Sequence, residues 1–274
     1  MNRSAETASR RSGSGPGTAT AALPPFHWWR TVFFLIPLVA VYTIVFGTIS
    51  LVSTVFDRSG DTGHWCARTW STLILKTTGV RIRVQGLEHL DHGRSYVLAV
   101  NHQSIYDIPI LFASIPLQLR IVAKASLGAI PFLGWHLHRT GHLLVDRKKP
   151  GADIVQKMRR LVSESHSLIV FPEGTRSVDG RVGRFKKGSF LVAVEARLPV
   201  VPVSISGSRH VMPKGRLMVC PGDVHLIIHA PIPTADVRRR TDVIELGERI
   251  REIIVGGVAG PEAAARDRSP AEMR

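Results

Sequence analysis

The chain has 274 residues, with 36 Lys and Arg against 21 Asp and Glu, a formal charge of +15 and a pI near 10.9. Such a balance asks for an anionic partner, but the sequence has no zinc-finger spacing, no recognition motif and no basic patch interleaved with aromatics, so nucleic acid has only the net charge behind it. Anionic lipid headgroups and a phosphate-bearing substrate account for the charge equally well, and the two cysteines, Cys66 and Cys220, are too few for a disulfide framework and suit a reduced cytoplasmic face.

Residues 1–25 are rich in Ser, Gly, Ala, Thr and Pro, carry Arg3, Arg10 and Arg11, and are expected to be a disordered tail. Residues 26–78 form the expected membrane-associated anchor. No charge occurs from Thr31 to Phe56, 26 residues that would reach about 39 Å as one helix, more than the roughly 30 Å a bilayer core requires. Pro37 and Gly47 are expected to break it, with Trp28, Trp29 and Arg30 as an interfacial anchor at its start. The stretch is too long and begins too late for a cleaved signal peptide. Basic residues lie both before and after it, which favours an apolar helix dipping into one leaflet or a bent hairpin, with one transmembrane helix as the rival. An amphipathic helix near His64 to Thr77, carrying Trp65, Trp70, Leu73 and Leu75, is expected to follow.

Residues 79–256 are expected to form one α/β domain, a single mixed sheet flanked by helices. Strands are predicted at 80–84, 96–100, 119–123, 142–146, 168–171, 200–206 and 224–229, and helices at 105–114, 152–163, 188–196 and 243–254, before a disordered tail over 257–274. Between the second strand and the first of these helices lies Asn101-His102-Gln103-Ser104-Ile105-Tyr106-Asp107. Residues five apart have rotated past each other on a helix, so His102 is placed in a loop ahead of a helix carrying Asp107. A carboxylate there can hold one imidazole nitrogen and leave the other to take a proton from a hydroxyl. This is half of a serine-hydrolase triad without a nucleophile, because no Gly-x-Ser-x-Gly elbow occurs. A helix-capping role for the pair is the plain alternative; Ser104 reads as a hydrogen-bonding residue at a helix start.

Lys124 and Arg147 each follow a predicted strand and are candidate phosphate ligands or plain surface cations. Gly128 to Trp135 is apolar and turn-forming and reads as a crossover in the core. His136, His138 and His142 lack a carboxylate or cysteine at metal-ligand spacing, so no metal site is expected. Further on, the apolar run Ser167 to Phe171 ends at Pro172, and Glu173, Gly174, Thr175 and Arg176 then place a carboxylate, a permissive backbone, a hydroxyl and a guanidinium at the carboxyl end of a strand. Arg176 can fork onto a phosphate, and Arg184, Lys186 and Lys187 extend the positive charge to Gly188.

At these residues the chain resembles the glycerolipid acyltransferases, specifically the 1-acyl-sn-glycerol-3-phosphate acyltransferases, over roughly residues 80 to 210. Asn101, His102, Ser104 and Asp107 match the family's Asn-His-x-Ser-x-x-Asp motif, and Phe171 to Ser177 match Phe-Pro-Glu-Gly-Thr-Arg-Ser throughout. Gly141 to Arg147 resembles the second block, with Leu144 where an aromatic is common, and Val201-Pro202-Val203 resembles the last. The resemblance implies that His102, oriented by Asp107, deprotonates the sn-2 hydroxyl of lysophosphatidic acid as it attacks a thioester, giving phosphatidic acid for phospholipid biosynthesis. It also implies that Glu173, Gly174, Thr175 and Arg176, with Lys124 and Arg147, bind the acceptor. The co-substrate is acyl-CoA or acyl carrier protein, with no further cofactor, and the expected place is the cytoplasmic face of the membrane. The rival functions are acylation of another lysophospholipid and a non-catalytic lipid-binding role on the same fold.

Overall fold

The computed structural model describes residues 25–57, 59–129, 133–145, 163–186 and 188–266, with 156, 160 and 161 between. Expectations for the tail over 1–24, for Arg147 and for most of the helix over 152–163 fall outside these residues. Among the described residues seven strands appear: β1 (Val80–Gln85), β2 (Val97–Val100), β3 (Leu119–Lys124), β4 (Leu143–Val145), β5 (Ser167–Val170), β6 (Val200–Ser206) and β7 (Gly222–Ile228). The helices are α1 (Pro25–Arg30), α2 (Ile36–Ser53), α3 (Asp61–Thr78), α4 (Asp107–Ser114), α5 (Leu133–Arg139), α6 (Leu191–Glu195), α7 (Ser208–Val211) and α8 (Arg240–Arg266).

All seven strands join one mixed sheet in the order β1-β7-β6-β2-β5-β3-β4. The pairs from β6 through β4 are parallel, and β7 runs antiparallel to β6. Burial explains the sequence pattern: β2, β5 and β6 are buried at every residue, so they read as continuous apolar runs, as strands covered on both faces must. Side chains on a strand alternate, and β2 divides accordingly. Leu98 and Val100 pack into a cluster with Ile74 and Leu75 of α3 and Ile110 and Leu111 of α4. Val97 and Ala99 pack on the other face with Phe190, Ala193 of α6 and Ile250 and Ile254 of α8.

The apolar segment differs from expectation at Pro37. The helix is continuous from Phe26 to Ser53. A single π-turn, Thr31–Leu35, precedes α2, and the Ile36 N–H bonds to the Thr31 carbonyl. Pro37 follows directly on that π-turn, where the regular i to i−4 ladder is already interrupted, and Gly47 lies mid-helix without breaking it. The reversal comes after Ser53. Asp57 gathers the N–H groups of Ser59, Gly60 and Thr62 and the Ser59 hydroxyl, and these bonds hold its carboxyl well below the usual carboxylate range. Gly60, at φ +76°, turns the chain into α3.

α2 and α3 pack as an antiparallel hairpin, since Tyr42 meets Thr77, Thr43 meets Trp70 and Phe46 meets Trp65 as one helix ascends and the other descends. The π-turn exposes Phe33 and Phe34, and α2 exposes Ile44 and Val52, an apolar surface that water does not favour. The helix of 28 residues is long and apolar enough to cross a membrane.

Beyond Gly256 the structure again departs from expectation. α8 continues to Arg266, past the boundary placed at 256. Gly257 is not a stop signal but a point of close approach: a Cβ there would lie 2.7 Å from His229 Nε2 and closer still to the Ser204 hydroxyl. Those two groups hydrogen-bond each other at 2.8 Å, and Ser204 also donates to the Ile254 carbonyl, so the helix rests directly on β6. The region of Gly128 to Trp135 holds a 3-10 turn, Ala125–Ala129, and the start of α5, with Trp135 largely exposed.

Candidate active site

The parallel strands β2, β3, β4 and β5 point their carboxyl ends the same way, so the segments after β2 and β5, which are adjacent, must meet at one edge. Asn101 fixes the end of β2: its side-chain NH2 donates to the Ile205 carbonyl at 2.8 Å and its oxygen accepts the Ile205 N–H at 2.7 Å. His102 therefore leaves the sheet at a determined point. The chain then curls so that Asp107, at the first turn of α4, faces back toward it.

His102 Nδ1 lies 2.8 Å from Asp107 Oδ2. The same oxygen accepts the N–H groups of Gln103 and Ser104 at 2.8 and 2.9 Å, and Asp107 is fully buried. A carboxylate offers only acceptors, so Nδ1 carries the proton and Nε2 is left as the basic nitrogen. Nε2 has no hydrogen bond among the described residues. Phe171 stacks on the imidazole with ring centres 4.0 Å apart, which fixes its plane. The arrangement suits a general base with an orienting carboxylate, and among the described residues no hydroxyl or thiol hydrogen-bonds to the imidazole. Ser104 is committed elsewhere, its hydroxyl donating to the Met212 carbonyl at 2.8 Å while accepting the Tyr106 N–H at 3.3 Å. It ties the loop to a distant turn, in addition to its expected place near the helix start.

Glu173 is brought against His102 but not as an open ligand. Its Oε1 accepts the His102 N–H at 2.9 Å and its Oε2 accepts the Gly183 N–H at 2.8 Å. Burial pushes its carboxyl above the usual range, against the lowering effect of those two donors. A Cβ at Gly183 would stand 2.9 Å from Oε2, so the bond depends on glycine. Two further bonds lock this crossing: the Ser177 N–H donates to the His102 carbonyl at 2.7 Å, and Gln103 donates to the Gly180 carbonyl at 2.8 Å. Gly174, at φ +72°, takes the left-handed turn that swings Thr175 and Arg176 outward.

Two residues missed in the sequence belong here. Lys214 Nζ donates to the Thr175 hydroxyl at 3.1 Å and to the Arg176 carbonyl at 2.9 Å, adding a cation beside Arg176. Arg251 of α8 donates to the carbonyls of Gly183 at 3.0 Å and Val182 at 3.2 Å, pinning the loop that holds Glu173. Nothing in local spacing signals either one, because each acts from across the fold. Lys124 ends β3 at the same edge, exposed and two strand positions from β2, on the order of 10 Å away. Among the described residues no three His, Cys, Asp or Glu side chains are grouped to hold a metal, and both cysteines are free.

Fold and site together define an α/β protein that carries a carboxylate-oriented base at the carboxyl edge of its sheet and an apolar helical hairpin on one face. The acyltransferase family model matches residues 81–206. A 1-acyl-sn-glycerol-3-phosphate acyltransferase of Cocos nucifera is 31% identical over 76% of this chain and 70% of its own. The chain belongs to this acyltransferase family. A chloroplastic 1-acyl-sn-glycerol-3-phosphate acyltransferase of Brassica napus is 36% identical over 62% of the chain. The chain spans half the length of that relative and 48% of its Arabidopsis thaliana counterpart. Among solved structures, the 1-acyl-sn-glycerophosphate (LPA) acyltransferase PlsC of Thermotoga maritima superposes with a TM-score of 0.73 at 26% identity, over 89% of this chain and 98% of that one.

Proposed function

We propose that the protein transfers a fatty acyl group from a thioester donor to the sn-2 hydroxyl of 1-acyl-glycerol-3-phosphate, giving phosphatidic acid. The observation that carries this reading is the His102–Asp107 pair, with one imidazole nitrogen fixed, the other open, and the nearby Ser104 hydroxyl committed to the Met212 carbonyl. The names of the relatives support the acceptor class. Nε2 of His102 takes the hydroxyl proton as the acceptor oxygen bonds to the thioester carbonyl carbon. The carbon–sulfur bond then breaks, and the leaving thiolate recovers that proton from the imidazolium. Atoms balance with no cofactor and no metal. General-base help of this kind supplies about 10²- to 10⁴-fold, so holding both substrates in line supplies much of the rest.

Arg176 and Lys214, whose Nζ bonds the Thr175 hydroxyl and the Arg176 carbonyl, suit the acceptor phosphate, with Lys124 at the end of β3; Arg147 is assigned to the same group on its place in the sequence alone. Glu173 acts through His102, since both its oxygens are occupied by backbone donors. The apolar outer side of α2, next to the amphipathic α3, supports insertion into one leaflet from the cytoplasmic face, where anionic lipid attracts the basic domain.

The test is a panel of lysophospholipid acceptors with labelled acyl-CoA and labelled acyl carrier protein, run on the wild type and on His102→Ala. Transfer to lysophosphatidic acid by the wild type alone is expected. Preference for another headgroup would move the acceptor assignment, and turnover by purified His102→Ala would remove the base assignment. Arg176→Ala should weaken acceptor binding about tenfold, with less effect on an acceptor lacking phosphate.

A further inference from the structure

Between α7 and β7 the chain makes a loop, Met212 to Val219, closed at its base by the Cys220 N–H on the Val211 carbonyl at 2.9 Å. Compact loops of this kind, with their ends close together, often carry function. The near end meets the loop of the base, where the Met212 carbonyl accepts the Ser104 hydroxyl at 2.8 Å. A turn follows. The Arg216 N–H donates to the Pro213 carbonyl at 3.2 Å with Gly215 at φ +81°, and Lys214 within this turn reaches the Thr175 hydroxyl and the Arg176 carbonyl. Lys214 to Leu217 are exposed, whereas Val219 is buried.

The far end of the loop is held by the apolar helix. The Val219 N–H donates to Thr31 Oγ1 at 2.9 Å, a buried bond between residues 188 positions apart. Thr31 is 1% exposed, and its own hydroxyl proton goes to the His27 carbonyl at 2.7 Å. A helical threonine commonly spends its proton that way, and a lone pair remains on the oxygen for the loop. The π-turn decides which side chains face inward. Thr31 and Leu35, four apart, are buried, while Phe33 and Phe34 between them are exposed. Leu35 shares a core cluster with Val211 and Val219, so the π-turn and both ends of the loop belong to one packed unit.

We infer that Thr31 is a positioning residue for the acceptor site: by holding Val219 it sets the loop that presents Lys214 beside Arg176. Lys214 and Arg176 take the acceptor phosphate in the acyl-transfer reading, on which this role rests and which it deepens. Thr31 touches no substrate and acts through Val219 and Lys214. Ser104, Thr175 and Arg176 hold the near half of the loop, and Thr31 holds the far end from the apolar helix. The helical turn that exposes Phe33 and Phe34 thus also fixes the cation for the acceptor head, which suits an acceptor with an acyl chain at one end and a phosphate at the other. Without the Thr31 oxygen the Val219 N–H is a buried donor left unpaired, and that end of the loop must open to reach water. Lys214 then loses its fixed place, while His102 and Asp107 keep theirs.

The experiment uses the full chain in detergent micelles containing lysophosphatidic acid, with acyl-CoA or acyl carrier protein as donor. Thr31→Val keeps the shape and removes the hydroxyl; Thr31→Ser keeps the hydroxyl. Thr31→Val should raise the acceptor KM about tenfold, with kcat and the donor KM within about twofold of the wild type, and Thr31→Ser should recover most of the loss. Lys214→Met should raise the acceptor KM as well, and Thr31→Val added to it should raise it little further, because both remove the same contact. Hydrogen exchange over 212–219 should quicken in Thr31→Val and slow again in Thr31→Ser. A fall in kcat with the acceptor KM unmoved is what a merely destabilised fold gives, and it would overturn the assignment. Additive effects of Thr31→Val and Lys214→Met, a Thr31→Ser variant as impaired as Thr31→Val, or unchanged exchange in the loop would do the same. Should the wild type acylate no acceptor, the acyl-transfer reading fails, while hydrogen exchange still decides whether Thr31 holds the loop.

Discussion

Two groups of histidines lie within this fold, and they have opposite surroundings. At the end of β2, His102 rests against the buried Asp107 carboxylate, with one nitrogen held and the ring still partly exposed. Beneath the hairpin, His64, His136, His142 and His166 gather around Arg120, which is 4% exposed. Arg120 donates to His166 Nε2 at 2.8 Å, so that histidine is neutral, and the Ile121 N–H donates to His142 Nδ1 at 3.0 Å, so that one is too. Burial pulls all four below their ordinary value, and the nearby guanidinium pushes His64, His142 and His166 further the same way. The Arg120 guanidinium is itself pulled to about 10 by burial, with Glu164, Asp61 and Asp57 opposing from a distance. What separates the proposed base from the structural histidines here is a carboxylate in contact and an open second nitrogen. Depth in the protein does not do it.

The sharpest way to break this contrast is to remove the dyad. His102→Ala should cost about 10³-fold in kcat, and Asp107→Asn, which loses the tautomer lock, a similar factor, with folding unchanged by circular dichroism. A loss of less than tenfold in both would place the chemistry elsewhere. His142→Leu should do the reverse. It strands the Ile121 N–H and should lower unfolding free energy by about 1–3 kcal/mol in denaturant titration while kcat stays roughly unchanged.

The same cluster sets a pH dependence. In the unfolded chain these histidines titrate near 6.5, whereas His64 is held down to about 4 when folded. Between those values the unfolded state takes up protons that the folded state refuses, so stability is complete above pH 6.5 and falls as pH drops toward 4. A flat denaturation midpoint across that window would show that the cluster is open to solvent. Smaller effects should follow from the residues behind His102. Glu173→Gln keeps the shape but presents an NH2 to one of two N–H donors, and should lower kcat about tenfold. Arg251→Ala should lower it about fivefold with the acceptor KM unmoved, and Arg251→Lys should restore part of the loss.

Much of this was legible in the sequence because it is local. Fully buried strands write themselves as β-branched runs, which is why β2, β5 and β6 stood out at 96–100, 168–171 and 200–206. His102 and Asp107 were legible as a pair for the same reason, a short loop leading into a helix. Pro37 and Gly256 misled because proline and glycine carry more than one meaning: one is tolerated directly after a π-turn, and the glycine pair extends into a close approach of α8 to the sheet. The contacts of Lys214 with Thr175 and of Arg251 with Gly183 join residues 39 and 68 positions apart, and no spacing rule reaches that far.

The sequence by itself determined the α/β class, the apolar helix, and the chemical types at the site, because periodicity and short loops dictate those within a few residues. The tertiary structure alone decided how those groups are used. Strand order set β5 beside β2 and so gave Glu173 to the His102 backbone rather than to solvent. The packing of α8 set Arg251 against the Gly183 and Val182 carbonyls, behind Glu173. Both outcomes depend on which strands become neighbours, a result of burying the whole core at once.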